Sequence, residues 1–242
     1  MPWIWIQALL VNVVLISLAR RIPLLTPKGW VHAAVLGTML WGCLGWRGWL
    51  AVVIYLALGS LATHIGLKNK QQRGLAEARG GRRGPENVWG SAAVGAALGL
   101  WIAALPPDAA DLQILLMIGF SASLAAKLAD TFGSEIGKRW GSTTVLITSL
   151  RPVTPGTEGA ISLQGTLASV VGSIVMTMVL WALQLIPSLG AAGLVMMVGL
   201  LATLAESLLG AIVQNRVGWL SNELVNALQT LLAATTAIIL AG

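Results

Sequence analysis

Long apolar stretches recur along the 242 residues, separated by short polar connections. Each comes close to the roughly 20 residues that a helix needs to cross a bilayer core. Spans are expected at 2–19, 30–46, 48–66, 88–105, 112–132, 165–186, 190–212 and 224–241, and the turn around Trp46, Arg47 and Gly48 decides between seven and eight. Charged residues make up only 10% of the chain, against about a quarter in soluble domains, and mean hydropathy is +0.81. A water-soluble fold is excluded. The expected class is all-α, a polytopic helical membrane protein with about seven or eight transmembrane helices in one membrane domain, 1–242. No internal repeat and no separate soluble domain stands out.

Charge placement orients this layout. With the N-terminus outside, alternation brings Arg20, Arg21, Lys28, Lys68, Lys70, Arg73, Arg79, Arg82, Arg83, Lys138, Arg139, Arg151 and Arg216 to the cytoplasmic side, 13 of the 15 basic residues. That asymmetry is the one that the positive-inside rule describes. The connection at 106–111, PPDAAD, is acidic and falls outside. Cytoplasmic loops are expected at about 67–87, 138–164 and 214–223, and the Gly- and Pro-containing first of these reads as a flexible cover. The net charge of +6 and pI of about 10.3 therefore face anionic headgroups, and no nucleic-acid partner is expected. Trp30, Trp46, Trp49, Trp89 and Trp219 fall near span ends, as interfacial anchors do. Cys43 is the only cysteine, so no intramolecular disulfide forms. The first span lacks a preceding basic region and a small-residue cleavage site, and is expected to be retained. The expected location is a membrane, with the basic loops on its cytoplasmic side.

Against this background the stretch 127–141, KLADTFGSEIGKRWG, is unusual. Wound as a helix, Lys127, Asp130, Thr131, Ser134, Glu135 and Lys138 share an arc of about 140°. Gly133 and Gly137 flank that arc and admit a close neighbour. Asn222, Glu223, Asn226, Gln229 and Thr230 share about 120° of the last helix. Glu206 interrupts an apolar run, and Glu158 stands between glycines in GTEG, beside Thr157. Ionisable groups at membrane depth mark functional paths, although Lys127 and Asp130 at i, i+3 can also neutralise one another. The Asn/Gln stripe can equally be interhelical glue, and Arg79, Arg82 and Arg83 a membrane-surface patch. Taken together, carboxylates beside Lys and Arg suit a magnesium–phosphate ligand, because Mg²⁺ takes one or two carboxylates plus substrate phosphates. No P-loop, dinucleotide fingerprint, Cys/His metal cluster or nucleophile elbow occurs.

These blocks, with TTVLIT, GTEGAISLQGTLAS, ESLLGAIVQ, WLSNELVN and the upstream GRRGPENVWGSA, resemble the integral-membrane phytyl-phosphate kinase family, itself distantly similar to CTP-dependent phytol and dolichol kinases and membrane cytidylyltransferases. The resemblance is densest over about 79–228. It implies transfer of the CTP γ-phosphoryl group to phytyl phosphate, a prenyl phosphate lipid, giving the diphosphate for tocopherol or quinone synthesis. Carried over by position, Asp130 holds Mg²⁺ with Glu135 in support, Lys127 and Lys138 meet phosphates, and Thr157, Glu158 and Gly159 shape the nucleotide end. Glu206 and Asn226 sit within matching blocks that assign them no role, and Glu158 and Glu206 are counted as further candidate metal ligands. The resemblance also implies a bacterial plasma or thylakoid membrane. The remaining nucleotide- and phosphate-binding residues are expected to be Lys28, Arg82, Arg83, Asn87, Thr131, Ser134, Thr157, Gly159 and Asn226. The rivals are a phytol or polyprenol kinase, a CTP:lipid-phosphate cytidylyltransferase, and an anionic-solute transporter. Homo-oligomerisation is left open. A phosphate acceptor needs no general base, which suits core motifs that contain no histidine.

Overall fold

A computed structural model describes residues 2–214, 217 and 219–242. Arg216, one of the bases counted above, lies outside them. The chain is helical, in the order α1 (Pro2–Ala19), α2 (Pro27–His64), α3 (Leu67–Gln72), a 3₁₀ turn (Ala78–Gly81), α4 (Pro85–Ala104), α5 (Ala110–Trp140), β1 (Thr144–Leu146), β2 (Ala160–Ser162), α6 (Leu163–Ala182), α7 (Leu189–Ile212) and α8 (Asn222–Ala241). Six helices among the described residues are long and apolar enough to cross a membrane, and α1 is a shorter apolar one.

The 38-residue α2 would be about 57 Å long if straight, far more than a bilayer core of about 30 Å. It is bent back at Gly45, whose φ of 68° and ψ of −174° are outside helical space. Glycine takes that backbone without a Cβ clash. The two arms return to one end: Thr26, just before the first arm, pairs with the Arg83 carbonyl, and the Arg83 side chain meets Tyr55 in the second. Midway, a Cβ on Gly37 would stand 3.2 Å from Trp49 Nε1. The two expected spans 30–46 and 48–66 thus correspond to the two arms, 27–44 and 46–64, and the turn sits one residue before Trp46.

α5 is the central element and packs on α2, α4, α6, α7 and α8. From Ile118 to Ala129 it is buried on every side, so the face opposite its polar stripe also contacts protein and not lipid. Small residues permit this. A Cβ on Gly165 would lie 2.8 Å from the Gly133 carbonyl and 3.4 Å from the Gly137 Cα, and one on Gly172 would lie 2.8 Å from the Leu128 carbonyl. On the α7 side, a Cβ on Gly199 would meet the Ala125 Cβ at 3.0 Å. Ser173 and Thr203 donate to the Met196 and Ala126 carbonyls at 2.7 and 3.1 Å.

The connections 20–26, 65–84 and 141–162 and the last turn of α7 gather at one end. The backbone of Leu24–Thr26 pairs with Arg83, Leu75 lies against Gly156, and Gly159 against Ala211. Arg47 is at the other end, beside Gly45, with Asp108 and Asp111 near the start of α5. The segment 67–87 is not the loose cover expected from its composition. Its α3 is pinned by Lys70, which is fully buried and donates to the Thr63 carbonyl at 2.8 Å and to Glu135. Likewise 138–164 is largely ordered. α5 runs on to Trp140, and β1 and β2 form an antiparallel hairpin with Val145 opposite Ile161.

Candidate functional site

At this basic end, α5 projects its stripe into a cavity of about 340 Å³. Lys127 lies about 26 Å along the helix from Ala110, so the stripe begins where the apolar length of α5 ends. Lys127, Asp130, Thr131, Ser134, Glu135 and Lys138 all line the cavity, as the wheel predicts. Lys127 is buried, ion-paired to Asp130 and hydrogen-bonded to Asn226 Oδ1 at 2.7 Å. The i, i+3 pair therefore forms, but it reaches across to α8 and faces the cavity. Lys138 pairs with Glu77 at 2.7 Å.

Other elements bring the remaining expected residues to the same wall. The β1–β2 hairpin delivers Thr157, Glu158 and Gly159, α7 delivers Glu206, the segment before α4 delivers Arg82 and Arg83, and the first turn of α4 delivers Asn87. Gly159, at φ 75°, lets the hairpin touch the α7 backbone, because a Cβ there would stand 2.5 Å from the Ala211 nitrogen. Arg79, Arg82 and Arg83 are not a detached surface patch, since all three line the cavity. Arg79 is tied to Glu86 and to Asn87 Oδ1, which also accepts the Gly84 N–H at 2.9 Å.

Two expected residues are placed differently. Lys28 is exposed at the start of α2 and does not line the cavity. Glu135 borders it, but its carboxylate is 2% exposed and committed to Lys70. The polar stripe of α8 is split by depth. Asn226 faces the cavity, while Gln229 bonds the Ala126 carbonyl and Thr203 at 3.2 and 3.1 Å, which is glue between helices. Sequence reasoning missed Glu77, which lines the cavity, and two buried partners behind it, Lys70 of Glu135 and Tyr55 of Arg83. Glu77 and Lys70 lie in a polar loop with no local pattern, and Tyr55 in an apolar run. Glu223, noted only as a member of the stripe, also lines the cavity and accepts from Asn87 at 3.5 Å.

The field in this cavity is mixed by construction. The N-termini of α4, α6 and α8 open onto it through Asn87, Gly165 and Asn222. Each helix start carries roughly half a positive charge, although the Gly165 and Leu224 N–H groups are already accepted by the Ser162 and Ser221 hydroxyls at 3.1 and 3.3 Å. Lys127, Lys138 and Arg83 add full charges. Against them stand Asp130, Glu158 and Glu206, which line the same cavity. Burial pushes the Glu158 carboxyl above its ordinary value, opposed by the Lys138 ammonium and reinforced by Asp130. For Glu77 burial also acts upward, but the adjacent Lys138 cation wins and holds that carboxyl low. Burial tends to lower the Arg83 guanidinium, yet the Tyr55 oxygen and nearby acids hold it above its usual range.

Among the described residues, no three Asp, Glu, His or Cys groups converge as a closed metal site. Magnesium does not require one, because it keeps water and phosphate ligands alongside one or two carboxylates. With Glu135 neutralised by Lys70, the members of the expected metal set left facing the cavity are Asp130, Glu158 and Glu206, and one or two of them suffice for an ion that keeps water and phosphate ligands. A second, apolar cavity of about 290 Å³ lies between α1, α2 and α4 and shares Arg83, Asn87 and Ser91 with the polar one.

Residues 10–234 match the family described as integral membrane protein DUF92. The chain belongs to this family. It is 45% identical over 236 residues to an uncharacterised membrane protein of Synechocystis, covering 97% of this chain and 90% of that protein. It is 37% identical to the chloroplastic protein VTE6 of Arabidopsis thaliana, covering 89% of this chain and 65% of that one. An uncharacterised membrane protein of the archaeon Methanocaldococcus jannaschii is 28% identical over 96% of this chain and 92% of its own. No solved structure matches. The chain is an integral membrane protein, with close kin in a cyanobacterium.

Proposed function

We propose that this protein transfers the γ-phosphoryl group of CTP to a prenyl monophosphate, of which phytyl phosphate is the type case, at the basic end of the bundle. The observation that carries the proposal is the convergence of buried Lys127, three helix N-termini and three carboxylates in one cavity at the end of apolar helices. A polyphosphate needs the cations and dipoles, and its accompanying metal needs the acids. The resemblance of KLADTFGSEIGKRWG and its companion blocks to phytyl-phosphate kinases supplies the nucleotide and the acceptor. We write the acceptor as a prenyl class because full-length kin occur in an archaeon as well as in a cyanobacterium. The cavity opens at one end of the bundle, which supports an enzyme over a solute pathway.

In the proposed reaction, an oxygen of the acceptor phosphate forms a bond to the γ-phosphorus as the bond from that phosphorus to the β–γ bridging oxygen breaks, releasing CDP. The acceptor is already an anion, so no side chain has to remove a proton. The work of the protein is alignment and charge stabilisation. Lys127, held by Asp130 and Asn226, is positioned to meet the transferred group, and Arg83 and the α4 start to meet the acceptor. Asp130, Glu158 and Glu206 would hold a magnesium ion, which when bound supplies neutralisation of the triphosphate. Lys138, Thr131, Ser134, Thr157 and Gly159 line the nucleotide side.

The test is purified protein in detergent with Mg²⁺ and CTP, offered phytyl phosphate, geranylgeranyl phosphate, phytol and phosphatidate in turn. CDP release with the prenyl monophosphates alone is expected. CDP release with phytol alone would make it an alcohol kinase, and diphosphate release would make it a cytidylyltransferase. Anion flux into proteoliposomes without nucleotide turnover would replace the enzyme with a transporter.

A further inference from the structure

The apolar cavity is walled by Ile16 and Ala19 of α1, Leu36 and Leu40 of the first α2 arm, Val52 and Leu56 of the second, and Ala92 of α4. Its floor is closed by the hydrogen bond from Trp49 Nε1 to Asn12 Oδ1 at 3.0 Å. From Trp30 near its top to Leu40 near its floor is ten helical residues, about 15 Å. Along one side Val53 and Ala57 are exposed, so the chamber also opens laterally, toward where lipid surrounds the bundle. Such a slot admits a single hydrocarbon chain from the bilayer.

Its top is not apolar. There it meets the polar cavity at Arg83, Asn87 and Ser91, which line both. Arg83 donates to the Tyr55 hydroxyl at 2.9 Å, and among the described residues no carboxylate lies within ion-pairing distance of its guanidinium. Trp30, one turn after the Thr26 that pairs with Arg83, is buried, and its indole N–H has no partner. A half-buried cation without a counter-ion, at the junction of an apolar slot and a phosphate-type cavity, is complementary to an amphiphile with one anionic head and one apolar tail. Lys127 lines the polar cavity together with Arg83 and Ser91 of this junction and with Glu158 and Glu206.

We infer that the chamber between α1, α2 and α4 holds the proximal tail of a single-chain lipid monophosphate, with Arg83 as the anchor of its phosphate, so that acceptor and nucleotide approach Lys127 from opposite sides. This rests on the kinase reading for the identity of the head group, but the geometry of the tail site is independent of turnover. Arg83, Asn87 and Ser91 belong to the acceptor half of the site, and Glu158, Gly159 and Glu206 to the donor half. Tail selectivity is set by α1 and α2, far in sequence from the charged motifs.

The test uses phytyl phosphate carrying a photoreactive diazirine in the proximal half of its tail, irradiated with the full-length protein in detergent and mapped by peptide mass spectrometry. Adducts are expected on α1, α2 and α4 peptides that wall the chamber. They should fall at least about fivefold in Ala33→Phe, which fills it, and in Ala57→Trp, which blocks the lateral opening at an exposed position that the fold tolerates. Arg83→Gln should weaken competition by unlabelled phytyl phosphate while leaving competition by phytol unchanged. In turnover, Ala33→Phe, at a position lining the chamber, should raise KM for phytyl phosphate, with KM for CTP unaltered. Chamber labelling without any CDP release would end the kinase reading and leave the tail site standing. Adducts spread over the outer faces of α6, α7 and α8, or unmoved by both filling variants, would overturn the inference. So would equal protection by two-chained phosphatidate.

Discussion

Removing the Lys70 ammonium tests whether Glu135 is part of the scaffold or part of the chemistry. Lys70 is 0% exposed and Glu135 2%. Nζ makes two contacts, to the Glu135 carboxylate and to the Thr63 carbonyl at 2.8 Å. Lys70→Met keeps the apolar volume, deletes both contacts, and strands a carboxylate where water is excluded. Losing one partner of a buried ion pair costs about 3–5 kcal/mol. At about 2–4 °C per kcal/mol for a chain of this size, the midpoint should fall by about 6–20 °C. Cys43 provides the assay: as the only cysteine, half-buried in the first α2 arm, it reacts with a thiol-sensitive fluorophore as the bundle opens. Glu135→Leu should lower the midpoint comparably, whereas Lys70→Met with Glu135→Leu should recover most of the loss, because an apolar replacement of a buried pair is often neutral. The coupling between the two sites should exceed about 2 kcal/mol. A single Lys70→Met variant within about 1 °C of the parent, or a double variant that loses the sum of the singles, would refute this reasoning. A changed Mg²⁺ requirement in Glu135→Gln at unaltered midpoint would return Glu135 to the metal set.

Asp130→Asn is expected to reduce CDP release by at least about 100-fold at a midpoint within a few degrees of the parent, because Lys127 retains Asn226 Oδ1; full turnover would remove Asp130 from the mechanism. The upward displacement of Glu158 gives a pH signature. In the metal-free protein its carboxylate form is gained as pH rises through a value above the ordinary 4.5, so Mg²⁺ binding, measured by titration calorimetry, should weaken as pH falls through that value and do so less in Glu158→Gln. The same raised value means that protonation favours the folded state, so this group's stabilising contribution is present at low pH and lost as pH rises through the folded value. Gly165→Val should separate α5 from α6, because even a Cβ meets the Gly133 carbonyl at 2.8 Å; a cost of about 1–3 kcal/mol is expected, read by the Cys43 assay, with turnover falling in parallel. Glu77→Gln removes only a partly exposed pair with Lys138 and should change stability by less than about 1 kcal/mol.

Hydropathy and helical period carry over locally, and through them the sequence alone determined that this is a helical membrane protein. They also place the stripe from Lys127 to Lys138 on one face of one helix, since that depends only on 3.6 residues per turn. Gly133 and Gly137 announced a close helix neighbour for the same local reason. What local pattern could not supply was partnership across the chain. Lys70 and Glu135 are 65 positions apart, Lys127 and Asn226 99, and Asn87 and Glu223 136. Only the bundle decided that Glu135 is neutralised inside the scaffold while Asp130, Glu158 and Glu206 face the cavity. It also decided that Lys28 points away, that Asn226 and Gln229 on one stripe do different things, and that 67–87 is an anchored segment. The physical reason is that burial and pairing of a charge depend on which helices close around it. That is fixed by the packing of α5 against its neighbours, and no residue carries it alone.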